Sequence, residues 1–205
     1  MTKYLTYDDV QIKPKYSDIE HRKNCNTITR VTKNIHLEVP IVSSPMDTVT
    51  GYNMCVEMDR LGGMGFLHRF QEPKDIVKQI KDFRKQRPEG TIGASIGVTN
   101  DYVKHTQMYV DAGAQVILID VAHGHHKLVK EAIRRLKNEV KGTFDILVGN
   151  IATAEAAKDL CEWGADGLRI GIGGGSLCST RVQTGIGLPM VSSLSDCVSV
   201  ADDYD

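Results

Sequence analysis

The chain has 205 residues, 41% of them apolar and 25% charged, with a formal net charge of −1. That composition suits one soluble globular domain with a substantial core, and the near-neutral charge gives nucleic acid or an anionic membrane no electrostatic footing. No apolar run approaches the ~20 residues that span a bilayer, and the start, MTKYLTYDDV, carries acids where a signal peptide is apolar, so a cytoplasmic protein is expected.

Apolar runs of strand length recur, with helical periodicity between them. The first strand is expected over 39–44 (VPIVSS), then a helix over about 51–61. A second strand, 63–68, leads into a helix over 73–86, which Pro73 opens where its missing N–H does no harm. The third strand, 91–96, precedes a helix over 100–112 that Gly113 closes. The fourth, 115–121, is followed by a helix over 127–140. The fifth, 145–151, is followed by a helix over 153–163, with Thr153 as its cap and Gly164 past its end. A sixth strand, 167–172, runs into a glycine-rich loop, and a last helix is expected over 191–204.

These strands are continuously apolar instead of alternating, which implies burial on both faces and a parallel sheet. Repeated βα units admit a doubly wound sheet or a barrel. No helix-opening GxGxxG follows the first strand, and polar or reactive residues gather just after several strands: Ser44 to Asp47, His68, Asp120 to His123, Asn150, and Ser176 to Thr180. Active sites of (β/α)8 barrels are assembled at that end of the sheet. The expected fold is therefore α/β, a TIM (β/α)8-type barrel that is incomplete, with about six of eight βα units in one domain over 1–205.

Of five cysteines, at 25, 55, 161, 178 and 197, no two form a CxxC pair, which argues against a disulfide framework or zinc ribbon. Cys55 and Cys161 fall in helical patterns and read as core. Cys178 lies on the loop 171–181, GIGGGSLCSTR, among glycines, hydroxyls and Arg181. Glycines let a backbone approach a ligand and present N–H groups as an anion nest. Such surroundings lower a thiol pKa and make a nucleophile; a glycine-rich connection with an incidental cysteine is the plainer reading.

GIGGGSLCSTR closely resembles the catalytic-cysteine loop of the IMP dehydrogenase and GMP reductase family, usually GIGPGSxCTTR. LTYDDVQIKP at 5–14, PIVSSPMDTVT at 40–50, LGGMGFLHR at 61–69, ILIDVAHGHH at 117–126 and GNIATAEAAK at 149–158 resemble the same family in the same order. The resemblance implies a TIM barrel lacking its seventh and eighth strands, and no inserted CBS domain, because 85–90 joins the second helix directly to the third strand. It implies that Cys178 attacks C2 of a purine nucleoside monophosphate, forming a covalent adduct, and that Thr180 stands near the nicotinamide and the leaving group. Ser176 and the N–H groups of Gly175 and Ser176 would meet the nucleotide phosphate. Ser44 and Met46 would line the nucleotide pocket, with Asp47 bracing their loop. Asp120 would accept hydrogen bonds from a nicotinamide ribose, with Asn150 and Arg169 beside it.

Structural alternatives stay open. Ser44 and Met46 also fit an ordinary strand end, Asn150 a helix cap, and Arg169 an internal pair. The resemblance further implies NAD or NADP as cofactor and a monovalent cation, K+, on the backbone carbonyls of Gly173, Gly175 and Cys178. It implies a homo-oligomer, a tetramer in the family, or else a complementary C-terminal fragment. SSPMDTVT, GASIGVTND and IDVAHGHH resemble the dehydrogenase; PKYSDIEHR and RVQTGIG resemble the reductase. The dehydrogenase is preferred, inactive as this chain alone, with the reductase or a non-catalytic partial barrel as alternatives. His123, His125 and His126 are expected to hydrogen-bond around the cofactor loop and not to hold a metal; His68 and Arg69 are expected to finish a loop.

Overall fold

The computed structural model describes residues 3–176 and 178–204, so Leu177 of the cysteine loop lies outside the described residues. Six strands, β3 (Val42–Ser43), β4 (Met64–Leu67), β5 (Ile92–Ile96), β6 (Val116–Asp120), β7 (Asp145–Ile151) and β8 (Gly167–Ile170), form one parallel sheet in chain order. Helices α1 (Tyr52–Arg60), α2 (Pro73–Gln86), α3 (Tyr102–Ala112), α4 (Lys127–Glu139) and α5 (Ala154–Trp163) connect successive strands. After β8 come a short helix, α6 (Ser179–Thr184), and α7 (Met190–Ala201), which packs on α5. This is the incomplete TIM barrel expected, six strands of a parallel half-barrel with helices outside.

Each strand feeds two apolar layers, which explains the continuous hydrophobicity. Ile92, Ala94, Ile96, Ile117, Ile119, Ile146 and Val148 face the helices and join the larger core. Met64, Phe66, Val116, Leu118 and Leu147 face the barrel interior and form a second cluster with Leu37. A helix-facing methyl and an interior methyl therefore alternate along strands that read as uniformly apolar.

Helix ends follow local chemistry. Thr153 Oγ1 accepts the Ala156 N–H at 3.2 Å and caps α5. Gly113 and Gly164, at φ of 109° and 98°, close α3 and α5 in the left-handed region. Pro73 opens α2 as expected.

Three features depart from the sequence reading. A hairpin, β1 (Thr29–Arg30) and β2 (His36–Leu37), closes the barrel end where the strands begin. It is held there by Asp145 at the start of β7, which accepts from Thr32 Oγ1 at 2.6 Å, Asn34 N at 3.0 Å and Asn34 Nδ2 at 2.8 Å. Lys33 N also donates to Asp166 O at 2.8 Å. The outer strands are shorter than expected: β3 covers two residues of 39–44, and β8 stops at Ile170. These are the sheet edges, with one neighbour each to define them. The short α6 directly after Cys178 was not expected. No helix among the described residues is long and apolar enough to cross a membrane.

Candidate active site

Parallel strands bring their C-terminal ends to one side, and Asp120, Asn150, Arg169 and the cysteine loop meet there. Registers place Asp120 of β6 opposite Gly149 of β7, and Gly149 opposite Arg169 of β8. The middle position carries no side chain, and a Cβ on Gly149 would stand 2.5 Å from Arg169 Cβ. Across that gap Arg169 Nη1 donates to Asp120 Oδ1 at 2.6 Å. Arg69, just past β4, faces the other oxygen with Nε 3.9 Å from Asp120 Oδ2, and stacks on Phe70 at 4.6 Å.

The resemblance implies that Asp120 accepts hydrogen bonds from a nicotinamide ribose. One oxygen is engaged by Arg169, so the internal pair foreseen for Arg169 is present, and Arg69 joins the site instead of merely finishing a loop. A basic residue two positions beyond a barrel strand was the available signal.

Asn150 does not cap α5; Thr153 does. Asn150 Nδ2 donates to Gly171 O at 3.0 Å, and its Oδ1 is buried without a protein partner. An orphaned acceptor beside a carboxylate at a barrel mouth fits an N–H donor of a ligand, such as a carboxamide. Asp120, Asn150 and Arg169 thus group a carboxylate, an amide and a guanidinium at the C-terminal end of the sheet.

The cysteine loop leaves β8 through Gly171 and Gly173, at φ of 129° and 74°. The segment after α6 returns alongside: Leu188 N donates to Ile172 O at 2.9 Å, and a Cβ on Gly173 would stand 2.8 Å from Gly187 Cα. Only glycine fits that crossing. Cys178 caps α6 from the residue before it. The Arg181 N–H, then those of Gly173 and Thr180 with the Thr180 hydroxyl, hold its thiol below the ordinary range, outweighing desolvation. Burial does the opposite elsewhere, pushing Cys55 up to about 12 and Cys197 up to about 11.

A lowered thiol pKa means thiolate at lower pH. The alkylation rate of Cys178 is expected to level off at a lower pH than that of a free thiol such as N-acetylcysteine. Peptide mapping after iodoacetamide pulses across pH 6–10 checks this; Cys25, which is exposed where Cys178 is half-buried, is the competitor to follow. A Cys178 profile matching the free thiol would remove the activation argument.

Gly175 and Ser176 are exposed, and a Cβ on Gly175 would meet nothing within 4 Å, which leaves room for a ligand. Ser44 and Met46 lie exposed in the turn after β3. That turn is braced by the Thr50 hydroxyl, which donates to Ser44 O, and not by Asp47, whose side chain is exposed.

The carbonyls suggested for K+ are each engaged: Gly173 O by Arg181 Nη1 at 3.3 Å, Gly175 O by Cys178 N at 3.2 Å, and Cys178 O by Val182 N at 3.0 Å. Three such oxygens, one beside a guanidinium, do not make a cation site by themselves. The histidines disperse: His126 Nδ1 caps α4 by accepting Leu128 N–H, and His125 pairs with Asp159. Among the described residues no group of three His, Cys, Asp or Glu is placed for a metal.

Cys178, its thiol pKa lowered, thus stands on a glycine loop at the C-terminal end of a parallel half-barrel. The chain belongs to the IMP dehydrogenase / GMP reductase domain family, whose model matches residues 4–205. It is 32% identical over 243 aligned residues to an inosine-5'-monophosphate dehydrogenase of Cryptosporidium parvum, covering 98% of this chain and 60% of that protein. Similarity to a GMP reductase of Leishmania donovani is 30% over 329 aligned residues, covering 96% and 67%. An inosine-5'-monophosphate dehydrogenase of Nitrosopumilus maritimus is 26% identical, covering 98% and 67%. The chain thus spans about three-fifths to two-thirds of the length of these curated relatives.

Proposed function

We propose that the chain is the nucleophile-bearing part of an NAD(P)-dependent purine nucleotide oxidoreductase, of the IMP dehydrogenase type. The carrying observation is Cys178, whose thiol is held low by N–H groups at the barrel mouth, beside an Asp120–Arg169–Asn150 constellation suited to a nicotinamide nucleoside. In this reading the Cys178 thiolate adds to C2 of IMP. Nicotinamide, when bound, supplies the hydride acceptor. Hydride departs from C2, water replaces the thiol there, and XMP is released. Thr180 stands two residues from the nucleophile, near the leaving group; Ser44, Met46, Gly175 and Ser176 hold the nucleotide and its phosphate. Asp120 orients the nicotinamide ribose. No step is assigned to a monovalent cation.

GMP reductase is the second reading, favoured by the near-equal identity to the Leishmania reductase. There the thiolate adds to C2 of GMP, ammonia leaves, hydride arrives at C2 and the thiol departs with IMP. We further read 1–205 as one partial barrel domain of a cytoplasmic enzyme that completes its site in a homo-oligomer or with a complementary C-terminal segment.

The test is nucleotide protection of Cys178 from alkylation, with IMP and GMP compared, alongside NADH and NADPH absorbance assays. Protection is expected with little turnover by this chain alone, because barrel phosphate sites are commonly built after strands seven and eight. The open edges are expected to drive self-association on size-exclusion chromatography. A monodisperse monomer with ordinary turnover overturns the partial-barrel reading; absence of protection by either nucleotide overturns the nucleophile assignment.

A further inference from the structure

We propose that His125 is a positioning residue: its contact with Asp159 pins the loop between β6 and α4, and through it the Asn150 peptide, in place. The loop, 121–126, leaves β6 just after Asp120. On one side it is sewn to the end of β7. Val121 N donates to Gly149 O at 3.0 Å, Asn150 N to Val121 O at 2.8 Å, and Gly124 N to Asn150 O at 2.7 Å. A Cβ on Gly124 would lie 2.9 Å from Ile151 Cγ2, so the loop already rests hard on that strand. Asn150 Nδ2 continues the path to Gly171 O, at the stem of the cysteine loop.

On the other side the hold is a side chain. His125 Nε2 and Asp159 Oδ2 of α5 are 2.8 Å apart, and the imidazole lies 5.8 Å from the Trp163 ring. Because α5 follows β7 after only two residues, this contact closes a triangle of loop, strand end and helix. Releasing it frees one side of a loop whose other side carries the Asn150 peptide.

His123, on the same loop, stands edge-on to His125 at 6.5 Å. From α4, Lys130 Nζ lies 5.2 Å over the Trp163 ring. The contact with Asp159 is a direct hydrogen bond at 2.8 Å, and this bond is the latch that holds the loop to α5.

Trp163 is the chain's one tryptophan, so its emission reports the latch directly. At one fixed pH, the emission of His125→Asn is expected to shift away from that of the native chain, and that of His123→Asn to match the native chain. Amide exchange gives the second readout: Gly124 and Asn150 are expected to exchange roughly tenfold faster in His125→Asn, with Ser95 in β5 unchanged. His125→Gln, which can still donate to Asp159, is expected to restore part of that protection. Asp159→Asn supplies the same comparison from the helix side should His125→Asn fail to fold. Native emission from His125→Asn, or Gly124 and Asn150 amides that exchange at the native rate in that variant, overturns the proposal. It rests on the proposed function only for which site is served, and neither readout requires a nucleotide.

Discussion

Asp145→Ala is expected to cost the fold about 3 kcal/mol, the largest stability loss from one polar residue in this chain. Asp145 is 4% exposed and gathers three donors from the β1–β2 turn. Alanine strands the buried Thr32 hydroxyl and releases the hairpin, and with it Leu37 from the interior cluster. Urea unfolding monitored at Trp163 and by circular dichroism measures the loss. Asp145→Asn, which keeps the shape and one acceptor, is expected to lose less. A loss under about 1 kcal/mol for the alanine variant would show that the hairpin is held by its apolar contacts alone.

Gly149→Ala is expected to cost roughly 2 kcal/mol and, under the function proposed above, to collapse dinucleotide binding. A Cβ there would stand 2.5 Å from Arg169 Cβ and 2.7 Å from Arg169 O. The second atom is backbone, so β8 must move as a strand. That movement parts Arg169 from Asp120 and shifts the stem of the cysteine loop. Gly51→Ala is the control: its added Cβ meets nothing within 4 Å, and its stability is expected to stay within about 0.5 kcal/mol. Unfolding and dinucleotide titrations on both variants decide the matter; native binding by Gly149→Ala would mean the Asp120–Arg169 pair is not what orients the cofactor.

What the sequence disclosed follows from what is local. The four inner strands lie near their expected bounds because burial on both faces leaves an unbroken apolar run. At the edge, Val39 N donates to Gly62 O and Ile41 N to Val39 O, so most of 39–44 bonds outside the ladder despite its apolar look. The hairpin escaped notice because two-residue strands show no period. Cys178 was legible because its activation comes from neighbours in its own loop. The Arg169–Asp120 pair was not, since it joins residues far apart in the chain and depends on a missing side chain at Gly149. Arg69 was hidden for the same reason: its partner lies two strands away.

Strand order that never departs from chain order has a mechanical corollary. Every strand hydrogen-bonds only to the one before and the one after, so ladder cohesion is greatest in the middle and falls toward both ends, as in a zipper. Opening is expected to begin at β3 and β8, with β5 and β6 the last amides to exchange. The Cys178 loop therefore hangs from a terminal tooth. Anything that clasps the outer side of β8 stiffens that loop without touching the thiol.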